Sequence, residues 1–443
     1  MTTEFPLLYH QQSDGIVAYR EGHPVTAAAF LADAAALAAL LPSRRHVVNL
    51  CADRYRFTVG LAAALMREQV SLLPPSETLA TLEQLAEDFP DLYCLHEGAP
   101  PATSAATFCF PQRLEIAHGA LAVPAFPSQQ QAVILFTSGT TGRPKAYPRL
   151  WGSLVAGSRA AGKRLGIEAL SGATVIGTVP HQHSYGLESA VILALQHGAA
   201  FLSERPFYPA DVAAYLSAAA PPRILVTTPI HLRAVLADDA PLPALDLVVS
   251  ATAPLPPQLA AAAERRFHCR MLEIYGCSEA GQIAVRRPAA DEIWDCIDTI
   301  RLRQDAAGSW AVDAASGGEF LLSDEIELRG GGRFLLHGRT ADLVNIAGKR
   351  TSLAHLNYHL NSIPGVSDGV FVMPEEREGG TTRLMAFAVA PALSTQAILA
   401  ALRQRVDPAF MPRPLVLVDA LPRNALGKLP HEVIRRLAAE RGR

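Results

Sequence analysis

The sequence predicts an α/β protein with a large N-terminal domain of doubly wound sheets, a small barrel-like β region and a small α+β C-terminal domain. Three observations predict it. From Pro24 to Ile274 short apolar runs alternate with helical segments, the rhythm of a parallel sheet covered by helices. From Thr299 onward short β-like runs are separated by turns such as Gly330–Gly331–Gly332, which suits a smaller antiparallel sheet or barrel. Beyond Gly338–Arg339 strand, helix and hairpin signals continue over a length typical of one small domain.

The elements follow in order. An alanine-rich helical stretch begins after Pro24 and ends at Pro42, followed by the strand His46–Cys51, the helix Arg56–Arg67 and the strand Val70–Leu73. Gly98–Ala106, rich in Pro, Ala and Ser, reads as a surface connection. Ala132–Phe136 is a buried strand, Trp151–Leu165 a helix, Thr174–Val179 a strand and Glu188–Gln196 a helix. The alternation continues with strand Ala199–Leu202, helix Ala210–Ala219, strand Ile224–Thr227, helix Pro229–Leu236, strand Leu245–Ser250, helix Pro256–Arg266 and strand Arg270–Ile274. In such folds active residues sit on loops beyond the strand ends. The later β runs are Ile300–Leu302, Glu319–Leu322, Glu325–Glu327 and Arg333–Leu336.

With 443 residues, 49% hydrophobic and 18% charged, the chain can bury a large core, so global disorder is excluded. A net charge of −3 and no Lys/Arg block give no basic field for nucleic acid or anionic membrane. Cys51, Cys94, Cys109, Cys269, Cys277 and Cys296 form no CxxC pair, as expected of reduced thiols in a cytoplasmic protein. The first residues carry no signal-peptide pattern, and the apolar run Val25–Leu41 is broken by Asp33, which argues against a membrane span.

The strand Ala132–Phe136 opens directly into Thr137–Ser138–Gly139–Thr140–Thr141–Gly142–Arg143–Pro144–Lys145. Glycines let backbone N–H groups converge on an anion, hydroxyls add donors and a lysine adds a point charge, so the loop is a candidate phosphate cradle. It is not a Walker A loop, because Arg143–Pro144 separate glycine from lysine and the chain continues without a helix.

This loop closely resembles the signature of the adenylate-forming superfamily: acyl-CoA synthetases, aryl acid ligases, luciferases and peptide-synthetase adenylation domains. Four further stretches support the resemblance. Pro180–x–x–His183–x–x–Gly186–Leu187 falls where acyl and aryl acid ligases carry a histidine at the carboxylate pocket. Tyr275–Gly276–Cys277–Ser278–Glu279 resembles the Tyr-Gly-x-Thr-Glu motif. Gly338–Arg339–Thr340–Ala341–Asp342–Leu343–Val344–Asn345 resembles the hinge motif, with Ala341 in place of the hinge acid or lysine and Asn345 in place of the usual lysine. Pro422–Arg423–x–x–x–Gly427–Lys428 matches the stretch that carries the catalytic lysine. Two looser matches are Ser250–Pro254, at the adenine wall, and Leu321–Asp324, at the ribose aspartate. His355 and Asn357 stand where relatives have glutamates.

The resemblance implies the following roles. Thr137, Ser138, Gly139, Thr140, Thr141, Gly142 and Lys145 hold the triphosphate of ATP, with Thr140 catalytic. Tyr275 stacks on adenine, Asp324 receives the ribose hydroxyls, and Arg339 contacts ribose or phosphate. Glu279 holds Mg²⁺, Lys428 acts between substrate carboxylate and α-phosphate, and His183, Ala251, Gly276 and Cys277 line the acid pocket. The implied domains are residues 1–338, a hinge at 339–342 and a mobile lid at 343–443. The implied reaction is ATP-dependent activation of an aryl or acyl acid as acyl-AMP and its transfer to coenzyme A or to the phosphopantetheine of an acyl carrier protein.

Other readings remain open on the residues. Gly276–x–Ser278–x–Ala280 is one residue short of a serine esterase nucleophile elbow, and an inactive ligand-binding paralogue would keep the same motifs. Spacing alone would let His181 and His183 be half of a metal site, but no third ligand is visible. Amino-acid-activating relatives carry an aspartate near His183. None lies between Gly172 and Glu204, which favours an acid without an α-amino group, although Glu188 offers a carboxylate there.

Overall fold

A computed structural model describes residues 3–10, 12–74, 76–114, 122–137, 145–339, 343–346, 349–373 and 384–423, together with 429, 433, 436 and 438. Two large sheets dominate. A six-stranded sheet runs in the order Lys145–Leu150, Gln131–Thr137, Val70–Leu73, His46–Asn49, Leu92–His96, Ala106–Cys109. All neighbours in it are parallel except the first pair, Lys145–Leu150 on Gln131–Thr137. The eleven-stranded sheet has a parallel centre of Ala200–Leu202, Thr174–Gly177, Arg223–Thr227, Leu247–Ser250 and Arg270–Cys277. Its central strands are buried along their length, which is why they read as apolar runs rather than as alternating patterns.

Helix ends follow local chemistry. Asp53 Oδ1 accepts the Arg56 backbone N–H at 2.8 Å and caps the helix Arg54–Met66. The helix Trp151–Leu165 carries Lys163 and Arg164 in its last turn and ends on Gly166 at φ 76°. Trp151, Leu154, Val155 and Leu187 join Phe57, Val133 and Ile283 in one core shared by the two sheets. Among the described residues no helix is long and apolar enough to cross a membrane, and all six cysteines are free thiols.

The change from parallel to antiparallel comes earlier than the sequence suggests. Arg270–Cys277 turns straight back into Gly281–Arg286, which pairs with it antiparallel, and Trp294–Cys296 follows. Ile300–Asp305, Gly308–Asp313 and Glu319–Leu321 form the small antiparallel sheet. Asp324–Gly330 and Arg333–Arg339 instead extend the large sheet beside Trp294–Cys296. Strand runs carry no mark of which sheet edge they will join, so the sequence could group these four runs together and no more.

Past residue 343 the hairpin Leu343–Ile346 with Lys349–Ser352 leads to the helix Leu353–Asn361. The strands Asp368–Val372, Met385–Val389 and Leu415–Leu417 then form a three-stranded sheet, with the helix Thr395–Arg403 against it. Leu356, Leu360, Phe371, Ala386, Ile398 and Leu402 give these elements a core of their own.

Candidate functional site

The phosphate-loop candidate spans two antiparallel strands. Thr137 and Lys145 are cross-strand partners at its base, and Lys145 places its Nζ 5.2 Å from the centre of the Tyr147 ring. Ser138, Gly139, Thr140, Thr141 and Gly142 lie outside the described residues, as do Ala341 in the hinge and Lys428.

The Tyr275–Glu279 stretch is a tight hairpin. Cys277 pairs with Gly281, which leaves Ser278, Glu279 and Ala280 as the turn. A bulge lies between Tyr275 and Gly276. Burial and the neighbouring Glu279 carboxylate push the Cys277 thiol up to about 12, so it stays protonated near neutral pH and is no nucleophile. A nucleophile elbow needs a helix after the serine, and here the chain turns back into a strand.

Tyr275 is buried against Trp294 and Phe334, with ring centroids 5.7 and 5.8 Å away. Its hydroxyl donates to Asp324 Oδ2 at 2.8 Å. Asp324 is in turn the cross-strand partner of Arg339, so three residues from three motifs meet at one place. Behind them Glu273, buried and with its carboxyl pushed up by desolvation against the pull of Arg286, accepts the Leu255 backbone N–H at 2.8 Å and the Arg286 Nε–H at 2.7 Å. This fixes the loop that carries Ala251, itself buried beside the strand end. In that loop Thr252 has φ 79°, a left-handed conformation that is strained for a β-branched residue.

His183 precedes the one-turn helix Ser184–Gly186, just beyond the end of the strand Thr174–Gly177. Gly186 is required there, since a Cβ would sit 2.0 Å from the Pro180 carbonyl oxygen. The Tyr185 hydroxyl shares its proton between the Thr227 and Val249 carbonyls at 3.0 and 3.1 Å, tying this loop to two more strand ends. His181 is structural. It is 1% exposed, its Nε2–H donates to the Cys51 carbonyl at 2.9 Å, and burial together with Arg54 holds its pKa down at about 3. Asn357 is structural too, for its side-chain oxygen accepts the Phe371 N–H, while His355 and His359 face each other with Nε2 atoms 3.1 Å apart.

Sequence reasoning missed two charged groups. Arg54, fully buried, donates to the carbonyls of Gly177 and Val179 at 2.9 and 3.2 Å and to those of Leu202 and Glu204 at 2.6 and 3.2 Å. It thereby pins the strand ends from which the His183 loop departs. Desolvation pulls its pKa down to about 10, still well above neutrality. The other is Arg149, buried beside Glu188. The sequence signal for Arg149 was its partner Glu188, the one charge within Leu187–Leu195, whereas Arg54, with Asp53 before it and Arg56 shortly after, carried none.

Among the described residues no three His, Cys, Asp or Glu side chains converge as a metal cage. A Mg²⁺ ion held by one carboxylate and substrate phosphates needs no cage. Glu279, partly exposed at the tip of its turn, presents such a carboxylate.

Two α/β sheets, a small antiparallel sheet and motif loops gathered at the strand ends define an adenylate-forming enzyme. Residues 11–300 match the family described as AMP-binding enzyme, and the chain belongs to that family. It is 30% identical over 287 residues to a 4-coumarate–CoA ligase of Rhodobacter capsulatus, covering 63% of this chain and 69% of that protein. It is 27% identical over 435 residues to a 4-hydroxybenzoate–CoA/benzoate–CoA ligase of Rhodopseudomonas palustris, covering 88% and 78%. The fold is also that of ATP-bound MatB from Rhodopseudomonas palustris, with TM-score 0.80, 18% identity and 97% of each chain covered.

Proposed function

We propose that this protein is an AMP-forming acid–thiol ligase that activates an aryl or acyl carboxylic acid with ATP and passes the acyl group to a thiol. The observation that carries the reading is the Tyr275–Asp324 hydrogen bond, which joins two motifs 49 residues apart beside the Glu279 turn. The ligase names of the two relatives support the substrate class.

In this reading the substrate carboxylate, seated near His183, Ala251, Gly276 and Cys277, attacks the α-phosphorus in line and pyrophosphate leaves. Tyr275 and Asp324 orient adenosine, with Arg339 beside them. The loop from Thr137 to Lys145 holds the triphosphate, and Lys428 contacts the oxygens where charge builds. Mg²⁺, when bound at Glu279, neutralises phosphoryl charge. The segment 343–443 acts as the lid, turning on 339–342 so that the thiol can reach acyl-AMP.

An amino acid is disfavoured as substrate. Glu188 is 5% exposed and accepts from Ser184 Oγ at 2.7 Å and from the Gln282 N–H at 3.3 Å, with Arg149 beside it. Its charge is thus answered from within and none is left for a substrate ammonium.

Coenzyme A is the acceptor suggested by the relatives' names, and a carrier-protein phosphopantetheine is the second candidate, by analogy with small free-standing ligases of polyene-pigment pathways. Mass spectrometry of reactions with ATP, 4-hydroxybenzoate or 4-coumarate, and either coenzyme A or a phosphopantetheinylated carrier protein tests the reading. A thioester with equimolar AMP supports it; ADP, or ATP left intact with every acid, overturns it.

A further inference from the structure

Arg149 and Glu188 are 6% and 5% exposed, and their Nη1 and Oε1 atoms lie 3.7 Å apart. They come from different layers. Arg149 is on Lys145–Leu150, the strand of the six-stranded sheet that leaves the phosphate loop. Glu188 lies in the π-helical segment Leu187–Ile192, directly after the His183 loop. Its two oxygens reach Ser184 Oγ and the Gln282 backbone N–H, the latter on the strand of the eleven-stranded sheet that leaves the Glu279 turn. Gln282 Nε2 donates to Ser189 Oγ at 3.0 Å and doubles that link.

Gly281 makes room for the pair. Its φ is +78°, and a Cβ there would sit 2.6 and 2.7 Å from the Arg149 guanidinium nitrogens and 2.9 Å from Glu188 Oε2. The backbone of the Glu279 hairpin therefore lies directly on the ion pair.

Stability alone does not explain such a pair. Desolvating two charges costs about as much as their attraction returns, and apolar residues of similar volume commonly do as well or better. What an apolar pair lacks is direction. π-Helical turns themselves are often found at functional sites.

We propose that Arg149 and Glu188 are positioning residues, a buried ion pair that holds the strand Lys145–Leu150, the His183 loop and the Glu279 turn in register across the two sheets. The proposal rests on the ligase reading. Neither side chain is assigned a contact with substrate, so their loss acts on the rate of adenylation and not on affinity. Misplacement of reacting groups by about 1 Å can cost on the order of a hundredfold in rate.

The test is ATP–pyrophosphate exchange with the acid that the wild-type protein turns over fastest, alongside thermal melting. The double variant Arg149→Met/Glu188→Met leaves no unpaired buried charge and is expected to melt close to wild type. Its exchange kcat per folded molecule should fall at least about tenfold, with KM for ATP and acid within about twofold. Arg149→Lys should recover part of the rate lost in Arg149→Met. A folded double variant with wild-type kcat overturns the proposal while leaving the ligase reading intact. A wild-type protein silent with every acid overturns the ligase reading, and the proposal falls with it.

Discussion

The Tyr275 hydroxyl donates to Asp324 Oδ2 at 2.8 Å, and Tyr275 is itself held by the rings of Trp294 and Phe334. The carboxylate assigned to ribose is therefore aimed by the ring assigned to adenine. Tyr275→Phe keeps the ring and loses the aim. Its expected effect is about 1 kcal/mol, a severalfold rise in KM for ATP. Asp324→Ala should cost more, since it removes the ribose acceptor itself. Steady-state kinetics at varied ATP check the order.

Thr252 holds φ at 79° in the loop assigned to the adenine wall. Backbone strain of this kind costs on the order of 1–3 kcal/mol, and glycine's extra freedom when unfolded gives back roughly 0.5–1 of that. Thr252→Gly is expected to melt no lower than wild type. Thr252→Val should keep the strain. A clear drop in melting temperature for Thr252→Gly would show that the threonine side chain contributes more than its backbone costs.

His181 and His359 have pKa values lowered to about 3 and about 4, the first chiefly by burial and the second by burial and His355. Unfolded histidines titrate near 6.5, so below that pH the unfolded chain binds protons that the folded chain refuses. Stability therefore falls as pH drops from 6.5 toward 4, by up to about 1.4 kcal/mol per pH unit for each fully refused proton. His181→Gln, which keeps a donor for the Cys51 carbonyl, should flatten that slope. Urea denaturation at pH 7.5 and pH 5 measures it.

Arg423 grips Asp368 through two bonds, Nε to Oδ2 at 2.7 Å and Nη2 to Oδ1 at 2.8 Å, five residues ahead of Lys428. The strand Asp368–Val372 is thus the anchor of Arg423. Arg423→Ala and Asp368→Ala should each slow acyl-AMP formation about tenfold, and the double variant should be little worse than either alone, as coupled residues behave. Additive losses would mean that the two residues act separately.

Much of this fold was legible because buried parallel strands show as bare apolar runs: Ile224–Thr227 and Leu245–Ser250 were placed to within two residues. Edges were harder to read. Ala106–Cys109 is largely exposed and, among the described residues, pairs along one side only, so its residues carry little pattern. Ile16–Arg20 and His23–Thr26 have their place set by the far-off strand Ala200–Leu202. At the candidate site, Tyr275, Asp324 and His183 could be nominated from the sequence because short motifs carry them. Arg54 and Arg149 were not, because their partners are 123 to 150 residues away for the one and 39 away for the other, and a buried charge declares itself only when its partner is placed.

ATP–pyrophosphate exchange across hydroxybenzoates, cinnamates, fatty acids and amino acids tests the central claim most directly. The expected result is exchange with an aryl or acyl acid, reduced at least about tenfold in Lys428→Ala. Exchange with amino acids alone, or none with any acid alongside ester hydrolysis lost in Ser278→Ala, would contradict it.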